Sequence, residues 1–178
     1  MQAAPTLVLV GPMGAGKSAI GRRLADRLGL PFADLDEDIE AGTGASIATI
    51  FDCEGEAGFR ARERAALAAR LDGTPGVVAT GGGAVLDDGN RKLMRERGYV
   101  VWLRSTVETQ LQRLGRCGNR PLLQRPDRGE VLRALAAQRD PLYADVSDLG
   151  FDTDGKAPGA AAGELAVLVN ARWQAAPR

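Results

Sequence analysis

Histidine is absent from the chain, which removes any mechanism resting on an imidazole base, a phosphohistidine or a His-ligated metal. Any general base must therefore be a carboxylate or water. Only two cysteines occur, Cys53 and Cys117, in no spacing that reads as a zinc knuckle or a redox dithiol, so a reduced compartment is expected. Lysine is confined to Lys17, Lys92 and Lys156, leaving arginine to supply nearly all of the 23 basic residues. Neither charge is in excess: 23 acidic residues balance the basic ones, and the zero net charge offers no broad field to a nucleic acid or an anionic membrane. Long apolar runs are also missing. Residues 1–6 carry no basic segment, and the apolar stretch at 7–10 is far too short for a signal or membrane helix. A cytoplasmic protein with no nucleic-acid or membrane partner is expected.

The 178 residues, 44% of them apolar, suit one domain spanning 1–178 with an ordinary buried core. Strand-like apolar runs bounded by Gly or Pro recur at 6–10, 31–35, 76–79, 99–103 and 148–151, with helical patterns between them. That alternation predicts a parallel, doubly wound α/β sheet. A first helix is predicted over 17–28, where Ile20, Leu24 and Leu28 repeat every four residues before Gly29. Further helices are predicted over about 56–71 and 131–142. The stretch 115–129, crowded with glycines, prolines and four arginines, reads as a mobile surface loop, and 157–163 as a connection into a last helix ending near Trp173.

Directly after the first strand comes Gly11-Pro12-Met13-Gly14-Ala15-Gly16-Lys17-Ser18, two glycines flanking four residues and followed by Lys-Ser. Glycines at these positions let successive backbone N–H groups turn around phosphate oxygens. The following helix aims its positive end at the anion, and the lysine reaches the outer phosphates. The loop at 11–18, with Gly14, Ala15, Gly16, Lys17, Ser18 and the adjoining Ala19, is therefore expected to bind a nucleoside triphosphate, with Ser18 on magnesium. An ordinary Gly-rich turn is the bland alternative. The motif specifies nucleotide binding but no reaction. No Asn-Lys-x-Asp guanine signature and no second transporter-type glycine signature accompanies it, which favours a kinase.

At the end of the second predicted strand stands Asp34-Leu35-Asp36. In an extended chain these two carboxylates share a side, at the strand ends where open α/β sheets bind ligands. One could hold hydrated magnesium and the other a substrate hydroxyl; helix capping by Asp36 is the alternative. Arg60 is followed one turn later by Glu63, which could orient it. Thr80-Gly81-Gly82-Gly83-Ala84 puts three glycines at the end of a buried strand, where a ligand can approach the backbone closely or the chain can simply turn.

Taken in order, Asp34-x-Asp36 with Ile39-Glu40, Gly44-x-Ser46-Ile47 with Phe51, Gly55-Glu56 with Phe59-Arg60 and Glu63, Gly81-Gly82-Gly83-Ala84, Arg120-Pro121-Leu122-Leu123 and Arg139-x-Pro141-Leu142-Tyr143 resemble the shikimate kinase family over about residues 7–153. The resemblance implies a three-layer α/β/α P-loop kinase with a central five-stranded parallel sheet like that of nucleoside monophosphate kinases. It also implies a substrate-binding region at about 34–64 and a flexible lid at about 115–129. Its implied activity is phosphorylation of shikimate with ATP as co-substrate and Mg2+ as cofactor. Carried over by position, Lys17, Asp36 and Arg120 are catalytic. Asp36, Arg60, Gly82 and Arg139 hold the substrate, the two arginines on its carboxylate, a match that suits the guanidinium fork. Arg120 belongs to the lid, Arg113 and Thr153 lie near adenine, and Asp34 holds magnesium through water. A monomer is expected. Gly58 departs from the family, which usually has an acidic or polar residue there. The rival expectations are a gluconate or nucleoside monophosphate kinase on the same fold, and a nucleotide-dependent switch without metabolite turnover.

Overall fold

The computed structural model describes residues 6–115 and 127–173. Five strands, β1 (Thr6–Val10), β2 (Phe32–Asp34), β3 (Val77–Ala79), β4 (Gly98–Arg104) and β5 (Leu149–Asp152), form one sheet in the order β2-β3-β1-β4-β5, with every pairing parallel. Seven helices join them among the described residues: α1 (Lys17–Leu28), α2 (Leu35–Thr43), α3 (Ile47–Asp72), α4 (Asp88–Arg97), α5 (Val107–Leu114), α6 (Arg128–Val146) and α7 (Pro158–Trp173).

The alternation of side chains along β1 makes the layers. Leu7 and Leu9 face one side, where Ile20 and Leu24 of α1 and Leu165 and Val169 of α7 complete a core. Val8 and Val10 face the other, against Leu67 of α3, Met94 of α4 and Tyr143 and Val146 of α6. Both faces of the sheet are thus covered, as parallel sheets require. A separate small cluster of Ile39, Ile50 and Phe59 holds α2 against α3.

The predicted strands all form, with ends displaced by a residue or two. Larger differences concern helices. The second strand stops at Asp34, because that carboxylate caps α2 by accepting from the Asp36 amide (3.0 Å). Asp34 is therefore the cap, and Asp36 lies in the first helical turn instead of an extended chain. The helix predicted from residue 56 forms there, as the second half of α3: the non-helical Gly55 (φ 69°, ψ −176°) separates it from an unpredicted first half that begins at Ile47, capped by Ser46. At the family-divergent Gly58, a methyl group would stand 2.5 Å from the Glu54 Cβ, so this chain packs the start of the second half against the end of the first. Residues 128 and 129, read as loop, already belong to α6, which also continues through Pro141 to Val146. The stretch 158–163 is helical rather than a connection, with Pro158 at the first helical position, where its missing N–H costs nothing.

Candidate active site

All five strands end on one edge of the sheet, so the segments that follow β1, β2 and β3 converge there. The first is the phosphate loop. Gly11 (φ 143°) fits only without a side chain, since a methyl group there would overlap the Leu103 carbonyl oxygen; Gly14 and Gly16 also have positive φ. Helices α2, α3, α4 and α5 are capped by Asp34, Ser46, Asp87 and Thr106 side chains. Helix α1 instead has Gly16 at its cap position with no side-chain cap hydrogen bond, a feature it shares with α6, and its first turn contains no acidic residue. A helix start of this kind presents its amides and positive dipole end to an anion. Lys17 Nζ donates to the carbonyls of Gly11 (2.7 Å) and Pro12 (2.9 Å), which keeps the ammonium against the loop. Ser18 Oγ donates to Asp34 Oδ2, joining the end of the phosphate loop to the end of β2.

Arg113, on α5, braces the loop from outside. Its Nη1 donates to the carbonyls of Gly14 (3.0 Å) and Ala15 (3.3 Å) and to Thr153 Oγ1 (3.1 Å), and its Nη2 to the Thr153 carbonyl (2.6 Å). Carbonyls committed to Arg113 leave the loop's N–H groups to turn the other way. Residues 113 and 153 are forty apart in sequence, yet the structure places them in direct contact. Arg113 lines a groove of ≈ 300 Å³ together with Thr109, Gln112, Gly155, Lys156 and Ala157.

The three glycines after β3 form the floor of a second cradle, and each meets a different charged side chain. A methyl group at Gly81 would stand 2.9 Å from Glu63 Oε1 and 3.4 Å from Asp36 Oδ1. At Gly82 it would be 3.2 Å from Arg139 Nη1 and 3.6 Å from the Tyr143 hydroxyl. At Gly83 it would collide with the Arg60 guanidinium, whose Cζ lies 2.9 Å away. None of the three has a positive φ, so a side chain there would meet no backbone strain but would have to displace these charged groups, most of all Arg60 at Gly83. The cradle thus carries Asp36 from α2, Arg60 and Glu63 from α3, and Arg139 from α6.

Glu63 is fully buried and accepts from Arg60 Nη1 at 2.6 Å, while Glu56 takes a longer 3.4 Å bond from Nη2. Burial pushes the Glu63 carboxyl above the usual range; the Arg60 guanidinium pulls it back, and the nearby Asp36 and Asp87 charges add to the rise. A buried carboxylate of this kind fixes the arginine's orientation while its outer edge faces the cradle. Two arginines beside an acceptor such as Asp36 suit a small molecule with a carboxylate and hydroxyl groups.

The structure therefore brings together Lys17, Ser18, Asp34, Asp36, Arg60, Gly82, Arg139, Arg113 and Thr153 on one edge. Arg120 and the lid segment at 116–126 lie outside the described residues. Sequence reasoning assigned no role to Tyr143, whose hydroxyl donates to the Gly82 carbonyl at 2.6 Å. Its four-residue spacing from Arg139 was the available signal.

Gly83→Ala tests the cradle without replacing a charged residue. Displacing Arg60 is expected to raise the KM for the acceptor about tenfold, equivalent to about 1.4 kcal/mol, with the nucleotide KM within about twofold. Steady-state kinetics with each substrate varied would show it, and an unchanged acceptor KM would separate Arg60 from recognition.

The fold and the phosphate cradle define a P-loop phosphotransferase architecture with an acceptor site beside the nucleotide loop. The family model described as shikimate kinase matches residues 13–169. A shikimate kinase from Stenotrophomonas maltophilia (strain K279a) is 56% identical over 174 residues, covering 98% of this chain and 97% of the relative. One from Xanthomonas campestris pv. campestris is 53% identical over the same length. Among solved structures, shikimate kinase from Acinetobacter baumannii in complex with shikimate superimposes with a TM-score of 0.90 at 45% identity, covering 95% of this chain and 94% of that one. The chain belongs to the shikimate kinase family.

Proposed function

We infer that this protein transfers the γ-phosphoryl group of ATP to the 3-hydroxyl of shikimate, giving ADP and shikimate 3-phosphate, a step toward chorismate and the aromatic amino acids. The observation that carries this reading is the pairing of an uncapped phosphate-loop helix with a glycine-floored cradle bearing one forward carboxylate and two arginines on the same sheet edge. Arg60 and Arg139 take the shikimate carboxylate as guanidinium forks, and Asp36 accepts the hydrogen bond of the reacting hydroxyl. Attack forms the bond from the shikimate O3 to Pγ as the bond from Pγ to the β,γ-bridging oxygen breaks; the hydroxyl proton passes late to Asp36 or water. Phosphoryl transfer has a loose transition state, so alignment and charge neutralisation dominate over strong base catalysis.

Lys17 supplies positive charge to the transferring phosphate. Gly14, Ala15, Gly16, Ser18 and Ala19 bind the phosphates through loop amides and the helix start. Arg113, which lines the ≈ 300 Å³ groove, and Thr153, which it bonds, serve the adenine end. The family resemblance gives Arg120 the role of closing positive charge over the phosphates. Magnesium fits the one hydroxyl and one carboxylate already in contact: Ser18 as a direct ligand and Asp34 through water, the sparse donor set that a phosphate-bound Mg2+ uses. When bound it neutralises and aligns the phosphate oxygens. We further propose a single-domain, monomeric, cytoplasmic enzyme; its zero net charge offers no broad field to a nucleic acid or anionic membrane, and no described helix is long and apolar enough to cross a membrane.

Phosphorus NMR of a reaction containing ATP and shikimate tests the bond formed. A phosphomonoester signal coupled to the ring proton at C3 is expected. An ester at another carbon would overturn the placement of Asp36, and no ester at all would overturn the reaction.

A further inference from the structure

Tyr143 is fully buried, with its ring 5.8 Å from that of Trp102 in the core between α6 and the sheet. Phenylalanine would fill that space equally well. The hydroxyl adds nothing to such packing and costs free energy when buried unless it is hydrogen-bonded. Its bond goes to the Gly82 carbonyl at 2.6 Å, sixty-one residues away, in the middle of the glycine floor. Burial pushes the phenol up to about 12, with the Arg139 guanidinium beside it working the other way, so the hydroxyl remains a protonated donor throughout the neutral range.

Arg139 and Tyr143 stand four residues apart on α6 and so share one face. Both reach the same spot: a methyl group on Gly82 would lie 3.2 Å from Arg139 Nη1 and 3.6 Å from the Tyr143 oxygen. A trans peptide points its N–H opposite to its carbonyl, so anchoring the Gly82 carbonyl also sets the direction of the Gly83 amide. The neighbouring bonds do not do this: Ala84 N–H donates to Gly81 and Leu86 N–H to Gly83, leaving the central peptide to Tyr143.

We propose that Tyr143 is a positioning residue for substrate recognition, its hydroxyl holding the Gly82 peptide in register with the Arg139 guanidinium so that floor and fork meet the same ligand together. This rests on the reading of Arg139 and Gly82 as substrate contacts. Without the hydroxyl, the peptide and the guanidinium lose their common reference and the acceptor site loosens, whereas the phosphate loop, whose Gly11 carbonyl lies near Gly82, keeps its own supports in α1, Lys17 and Arg113.

The test is steady-state kinetics of the full chain carrying Tyr143→Phe, Arg139→Ala, or both. Tyr143→Phe is expected to raise the shikimate KM about tenfold, with kcat within about threefold and the ATP KM within about twofold, the latter serving as a check on folding. In the Arg139→Ala background the same change should alter the shikimate KM by less than about threefold, because the fork it positions is gone. If Arg139→Ala raises the shikimate KM but Tyr143→Phe does not, the positioning role is overturned and the site stands. If neither variant raises it, the site reading fails and the role with it. Equal effects of Tyr143→Phe in both backgrounds, or an ATP KM that rises in step, would also overturn the proposal, the first by removing the coupling and the second by marking a general loosening of the fold.

Discussion

Asp36→Asn is expected to lower kcat with shikimate by about a hundredfold or more while leaving ATP affinity within about twofold. Asparagine keeps the shape of the side chain in the first turn of α2, where the Asp34 cap sets the backbone, so the fold has little reason to change. The change removes the negative charge and one of the carboxylate's acceptor positions. Both matter at the moment the hydroxyl attacks, since the hydroxyl must be aimed at phosphorus and must release a proton. An aspartate without this role would leave turnover near normal. Measuring kcat together with ATP binding by tryptophan fluorescence separates the two, because the phosphate loop takes its geometry from its glycines, α1 and the Arg113 brace.

Arg139→Ala is expected to raise the shikimate KM by roughly thirty- to a hundredfold, with a much smaller change in kcat. A charge-assisted hydrogen bond to a carboxylate contributes about 1.5–3 kcal/mol, and the truncation leaves the substrate's carboxylate with Arg60 alone. Arg139→Lys should fall between, since an ammonium keeps the charge but not the planar fork. The ATP KM should move within about twofold. Initial rates at varied shikimate concentration decide the matter; a KM unchanged in Arg139→Ala would mean that the carboxylate is recognised elsewhere. The expected split is informative because Arg139 and Asp36 sit on different helices against neighbouring glycines of one floor. One should act on binding and the other on turnover.

The parts of this site that were legible in the sequence are those written in consecutive residues. The phosphate loop is a single eight-residue motif between a strand and a helix, and the Arg60–Glu63 pair follows from helical spacing. The central strands β1, β3 and β4 were legible because both faces of the sheet are covered there, so each reads as a nearly unbroken apolar run, whereas the edge strands β2 and β5 are short and mixed. Elements governed by a single local conflict were harder. The second half of α3 was legible but its first half, from Ile47 to the break at Gly55, was not, and the predicted sixth helix stopped at residue 142, one short of Tyr143. The helix was in fact held through Pro141 by the burial of Tyr143 and Val146, a tertiary contribution that local propensity does not contain. Small residues at 157–163 looked like a connection, although Ala161 and Ala162 are completely buried against the sheet.

The triple glycine shows the same limit more sharply. Spacing alone left a tight turn and a ligand floor as equal readings. The distinction lies in distances across the fold, from residue 83 to 60, 82 to 139 and 81 to 63, none of which a one-dimensional pattern supplies. Likewise the contact of Arg113 with the phosphate loop required α5 and the end of β5 to meet at the same edge.

The central claim is phosphoryl transfer from ATP to shikimate, and the most direct measurement is ADP release by the purified full chain with MgATP. Shikimate, gluconate, AMP, CMP and no added acceptor are to be compared side by side. The account predicts ADP release that depends on shikimate and stays at background with the others. Release driven by a different acceptor would contradict the substrate, and release without any acceptor, or none from protein that binds ATP, would contradict the reaction itself.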